Sequence, residues 1–130
     1  MTEQLLPEAT HELSHLRREL APAAAAAFQS FSEAIFADGA LSRNTKHIIA
    51  VAVAHVTQCP YCISGHTRAA LQDGVTDEEL MEAIWVAAEM RAGGAFAHSI
   101  LAVAEMERFR GVRADDRPEA PLPKREHHAR

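Results

Sequence analysis

The stretch "TKHIIAVAVAHVTQCPYCISGHTRAAL", residues 45–71, decides the reading of the fold. Its first half carries "HIIAVAVAHV", which is apolar nearly all the way round a helix, and so predicts a central buried helix over residues 42–57. Pro60 then removes a backbone donor and disfavours helical geometry at Cys59. A break follows, with a new helix starting at Pro60, running to about residue 73 and stopped by Gly74. The stretch therefore predicts a helical hairpin with Cys59 and Cys62, the only two cysteines of the chain, at its corner.

Outward from the hairpin the pattern stays helical. Strand signals are almost absent, alanine is abundant, and apolar residues recur at helical spacing, which predicts an all-α fold. "PEATHELSHLRREL" places Leu13, Leu16 and Leu20 on one face before Pro22 interrupts. A second helix over residues 23–37 aligns Phe28, Phe31 and Ile35, with "DGA" as its stop. "TDEE", with Thr76 as N-cap and Glu79 three positions on, is a capping box that opens a helix over 77–91 and turns Leu80, Ile84 and Ala87 inward. Gly93–Gly94 predicts a joint before a last helix over 95–109, with Phe96, Ile100 and Val103 facing the core. From Gly111 onward prolines and charges predict a disordered tail, so residues 1–110 are expected to form one domain of about six helices and 111–130 the tail. No internal sequence repeat is visible.

Composition narrows the function classes. The chain has 130 residues, 48% of them apolar, enough for a single core. A net charge of -5 and a pI near 5.9 argue against a nucleic-acid binder. The basic cluster "KREHHAR" reads as a solvated end. No run of about 18 apolar residues appears, and the first residues lack a basic segment followed by an apolar one, so a soluble cytoplasmic protein is expected. Apolar stripes on the first two helices exceed what one small core buries, which points to symmetric self-association.

With Pro60 at the first helical position, Cys59 sits at or beside the N-cap and Cys62 lies in the first turn, where the positive helix end favours a thiolate. Thiolates attack disulfides and peroxides. His66 follows Cys62 at i+4 on the same face and is placed to exchange a proton with it. His55, one turn before the break, is a second relay candidate, although an imidazole in an apolar helix is as often a satisfied core residue. Three other readings of the segment remain. Cys59, Cys62, His66 and His55 offer four zinc ligands, but structural zinc sites usually join separated segments, and these lie on one corner. A structural staple gains little from so short a loop. A buried pair of inert thiols fits poorly with Pro60 and Tyr61 at the turn.

"TKHIIAVAVAHVTQCPYCISGHTRAAL" followed by "GVTDEELMEAIWVAAEMRAGGAFAHSI" resembles the alkylhydroperoxidase D / carboxymuconolactone decarboxylase family over about residues 40–105. The resemblance implies an all-helical subunit that assembles into trimers or hexamers. Its redox branch, marked by CxxCxxxH, reduces peroxides through a dithiol cycle, and the decarboxylase branch lacks that dithiol pattern. Carried over by position, Cys62 matches the peroxide-attacking cysteine, Cys59 the resolving partner and His66 the relay histidine. One position departs: where the redox members have a glutamate twelve residues before the first cysteine, this chain has His47. On a continuous helix twelve residues span about 18 Å, so His47 reaches the thiols only if the chain folds back or another subunit intervenes. His47, Val51 and His55 form a stripe leading toward the corner, and a protonated His47 would favour a thiolate, whereas a glutamate would act only as a base. Glu82 and Glu89, with Trp85 between them, and His98 are further pocket candidates; Glu82 reads as an exposed charge.

The expected function is thus a thiol-dependent peroxidase that uses Cys62, Cys59, His66, His55 and His47. Its expected partners are a hydroperoxide substrate and an external thiol or dithiol reductant, and it needs no bound cofactor. The alternatives are a decarboxylase-like lactone enzyme and a non-catalytic oligomeric module whose CxxC senses redox state.

Overall fold

The computed structural model describes residues 5–115, all helix and connecting loop. Five helices follow one another: α1 (His11–Leu20), α2 (Pro22–Phe36), α3 (Arg43–Thr57), α4 (Pro60–Gln72) and α5 (Asp77–Asp115). The chain divides into two units, Met1–Arg91 and Ala92–Arg130, described separately below. No helix among the described residues is long and apolar enough to cross a membrane.

In the first unit the boundaries follow local chemistry. Thr10 caps α1, its hydroxyl accepting from the Leu13 N–H at 3.2 Å, and Ser42 caps α3 by accepting from the Thr45 N–H at 3.2 Å. Thr76 and Glu79 cap α5 reciprocally: the Glu79 N–H donates to the Thr76 hydroxyl at 3.2 Å and the Thr76 N–H to the Glu79 carboxylate at 2.8 Å. At the end of α4, Gly74 takes φ +86, the Val75 N–H returns to the Ala70 carbonyl at 3.0 Å and the Gly74 N–H to that of Leu71 at 3.1 Å. This left-handed close leaves the Ala70 and Val75 side chains together in the core.

That core is thin and built around the hairpin of α3 and α4. Val51, Ala70, Val75 and Leu80 form its centre, with Ile48 and Ile84 packed against it, and Ala54 and Ala87 are also buried. Leu80, Ile84 and Ala87 therefore face inward as the capping box implies. The central helix is less enclosed than its apolar sequence predicts, since Ile49, Val53 and Val56 stay exposed. Leu13, Leu16 and Leu20 of α1 and Phe28, Phe31 and Ile35 of α2 are exposed as well. Helical spacing defines a stripe, but this single chain has no neighbour to cover it.

The second unit corrects two expectations. Residues 92–115 are helical throughout, and Gly93–Gly94 lies inside α5 without breaking it. Glycine costs a helix about 1 kcal/mol relative to alanine, which a long helix tolerates. Phe96, Ile100 and Val103, expected to face inward, are exposed. The helix passes Gly111 and continues to Asp115; the rest of the expected tail lies outside the described residues.

Candidate functional site

The corner between α3 and α4 turns on two residues. Gln58 takes φ 56, a left-handed conformation rare outside glycine, and its N–H closes α3 on the Ala54 carbonyl. Cys59 follows, and its own N–H donates to the same carbonyl at 3.1 Å. The Cys59 sulfur in turn caps α4, accepting from the Cys62 N–H at 3.3 Å, with Pro60 at the first helical position. Cys59 thus ends one helix with its backbone and begins the next with its side chain. The Gln58 side chain is held in place by Arg91: with the amide oxygen turned to the guanidinium, Nη1 and Nη2 lie 2.7 and 3.1 Å away, and Nη1 also reaches the His55 carbonyl at 3.5 Å.

Cys59 and Cys62 are joined as a disulfide, with Cα atoms 5.2 Å apart. Cys62 is exposed and Cys59 half-buried. Beside the disulfide lies a cavity of about 620 Å³ whose wall includes Phe36 from α2, Arg43 and His47 from α3, and Tyr61, Cys62 and His66 from α4. Cys62 and His66 thus share one wall, as their i, i+4 spacing implies. Tyr61, between the two cysteines in sequence, donates its hydroxyl to the Pro7 carbonyl at 2.7 Å and ties the N-terminal segment to a residue of the cavity wall.

His47 reaches this cavity because the chain folds back: the hairpin brings the start of α3 alongside the end of α4. Its ring is 4.8 Å from that of Phe36 and 5.8 Å from that of His66, and Phe36 also stacks on His66 at 5.0 Å, so one phenyl ring holds both imidazoles. His47 is only 4% exposed, and neither ring nitrogen has a hydrogen-bond partner. Burial pushes its pKa below the ordinary value, and the nearby Arg43 and His66 push the same way against the opposing pull of Asp73. The charged His47 considered from sequence is therefore disfavoured. These influences favour the neutral imidazole at His47.

The other candidates lie elsewhere. His55 lines a separate cavity with Gln58, Pro60 and Ile63, and its Nδ1 is bonded to the Val51 carbonyl of its own helix at 2.7 Å. Trp85, Glu82 and Glu89 are exposed and absent from the wall of the Cys62 cavity. His98 is exposed and belongs to the second unit. Among the described residues no group of three or more His, Cys, Asp or Glu side chains is arranged to hold a metal ion. Sequence reasoning missed Phe36, Arg43 and Asp73. Arg43 Nε donates to Asp73 Oδ2 at 2.6 Å, and the same oxygen lies 3.6 Å from His47 Nε2. The signal that could have found Asp73 is the hairpin itself, which folds the end of α4 back onto the first turns of α3.

Fold and corner together define an all-helical protein with a CxxC disulfide opening a helix beside two histidines. The comparisons narrow this class. The carboxymuconolactone decarboxylase family model matches residues 22–105, and the chain belongs to that family. It is 58% identical over 86 residues, 66% of this chain and 78% of the relative, to the "uncharacterized protein 4 in cox locus" of Paracoccus denitrificans. A solved carboxymuconolactone decarboxylase family protein of Legionella pneumophila superposes with a TM-score of 0.57 at 35% identity, covering 75% of this chain and 87% of that one. Another family member, from Thermotoga maritima, superposes with a TM-score of 0.50 at 26% identity, covering 70% and 94%. The description of that protein offers a role in the antioxidative response as a possibility.

Proposed function

We propose that the protein is a thiol-dependent peroxidase of the cytoplasm that reduces hydroperoxides by cycling Cys59 and Cys62 between dithiol and disulfide. The observation that carries this reading is the cavity wall in which solvent-accessible Cys62 stands with His66 and the buried, neutral His47. The possible antioxidative role of the Thermotoga maritima relative supports it.

In the reduced protein Cys62, in the first turn of α4, becomes a thiolate whose proton passes to His66. The thiolate attacks the distal peroxide oxygen, the O–O bond breaks, and the leaving alkoxide takes a proton from His66. Cys62 is now a sulfenic acid. The Cys59 thiol condenses with it, releasing water and forming the disulfide described above; an external thiol or dithiol then returns both sulfurs to thiols and is itself oxidised. The protein works as a homo-oligomer, trimer or hexamer, whose contacts cover the exposed Phe28, Phe31 and Ile35 of α2.

Steady-state peroxide consumption with dithiothreitol as reductant tests the reading. Wild type is expected to turn over and Cys62→Ser to be inactive, while reduced Cys59→Ser freed of dithiothreitol is expected to consume one equivalent of peroxide and stop at the sulfenic acid. Full turnover by Cys62→Ser overturns it.

A further inference from the structure

The least explained atoms of the cavity are the ring nitrogens of His47, both buried and both without a hydrogen bond. A buried polar group normally finds a partner, and the carboxylate oxygen Asp73 Oδ2 stands 3.6 Å from His47 Nε2, just beyond hydrogen-bond distance. Asp73 is itself fixed. It closes α4, its Oδ2 accepts from Arg43 Nε at 2.6 Å, and its carbonyl accepts from Asn44 Nδ2 at 3.0 Å. Two side chains from the first turn of α3 thus hold Asp73, Arg43 by its carboxylate and Asn44 by its backbone carbonyl.

We propose that Asp73 is a positioning residue for a two-histidine proton relay: it holds His47 as the Nε2–H tautomer and leaves Nδ1 as acceptor for the proton that Cys62 releases through His66. The inference rests on the dithiol reading of the site and deepens it. Nε2–H points to the carboxylate, so the lone pair on Nδ1 stays available on the other side of the ring. When Cys62 ionises, its proton moves to the His66 imidazole and one proton of His66 moves on to His47 Nδ1; the proton returns to His66 by the same path when the alkoxide leaves and takes one from it. The rings are 5.8 Å apart, close enough for direct transfer or for one bridging water. The resulting imidazolium faces the Asp73 carboxylate, which offsets part of what burial and the Arg43 guanidinium cost it, so the proton is held only briefly. His66, Tyr61 and Cys62 from α4, Asp73 at its C-terminal cap, Arg43 from α3 and Glu33 from α2 are the titratable groups around it. The stacked Phe36 keeps both rings from turning away. Asp73 here does what a third group does for the base of a catalytic triad, orienting the imidazole and fixing its tautomer.

The test uses the reduced full chain labelled with ¹⁵N-histidine, with the His47 tautomer read from long-range ¹H–¹⁵N correlations and Cys62 reactivity from iodoacetamide alkylation across pH. Wild type is expected to show Nε2–H at His47. Asp73→Asn, whose amide can donate to Nε2, is expected to shift His47 to Nδ1–H and slow alkylation about 10- to 100-fold near neutral pH, and Asp73→Glu to restore both. A wild-type Nδ1–H tautomer overturns the proposal even if Asp73→Asn does not fold. So does a variant that keeps Nε2–H, or one that changes tautomer without changing alkylation. A tautomer and alkylation rate that depend on Asp73 in a protein that consumes no peroxide would sink the peroxidase reading and leave the relay standing.

Discussion

His47 and His55 stand on the same helix and the same stripe, yet they occupy opposite chemical situations. His55 is part-buried, bonded through Nδ1 to the Val51 carbonyl, and lines a cavity that does not include Cys62. His47 is buried, stacked on Phe36, unpaired at both nitrogens and set in the same wall as Cys62 and His66. Nearness to the cysteines along the chain favours His55; folding back of the hairpin favours His47. The difference teaches that a histidine is available for chemistry when its surroundings leave its nitrogens unsatisfied, not when it is merely close in sequence.

Substitutions can break this contrast in graded steps. His66→Gln, which removes the imidazole between Cys62 and His47, is expected to lower kcat/KM for peroxide by about 10²- to 10⁴-fold in a steady-state assay. His47→Gln is expected to lower it by about 10- to 100-fold in the same assay, because it removes the buried acceptor behind His66.

His47 also couples stability to pH. Its folded pKa lies below the ordinary value of 6.5, so the unfolded chain binds the proton more readily. Stability contributed by keeping His47 neutral is full above about pH 6.5 and is lost as pH falls from there toward the folded pKa. The slope for one proton is at most about 1.4 kcal/mol per pH unit. Urea unfolding of wild type and His47→Gln between pH 5 and 8 checks this: the stability difference between them should tilt against wild type as pH falls. A difference that stays flat contradicts a buried neutral His47. The smallest effect belongs to His55→Gln, which is expected to leave peroxide turnover within about 2-fold and to cost about 1 kcal/mol of stability through the lost bond to Val51. Equal losses of turnover from His47→Gln and His55→Gln would erase the contrast.

The local devices were legible in the sequence because their partners lie within a few residues. Pro60 starting α4, the reciprocal cap of Thr76 and Glu79, the left-handed close at Gly74 and the inward set Leu80, Ile84 and Ala87 all follow from short-range spacing. Cys62 and His66 sharing a wall belongs to the same group. What was not legible depends on partners far along the chain or outside it. Spacing marks Phe28, Phe31, Ile35, Phe96, Ile100 and Val103 as apolar faces, but nothing in the sequence says what covers them, and in the single chain they are exposed. Gly93–Gly94 reads as a joint by propensity, and propensity alone is too weak to end α5. The stacking of Phe36 on two histidines and the approach of Asp73 to His47 require the register of the hairpin, which no motif carries.

The most direct measurement of the central claim is mass spectrometry of reduced Cys59→Ser treated with one equivalent of hydroperoxide in the presence of dimedone. The account predicts a dimedone adduct on Cys62, formed with loss of one peroxide per chain and absent from Cys62→Ser. An unmodified Cys62 thiol after the peroxide has been consumed would contradict it.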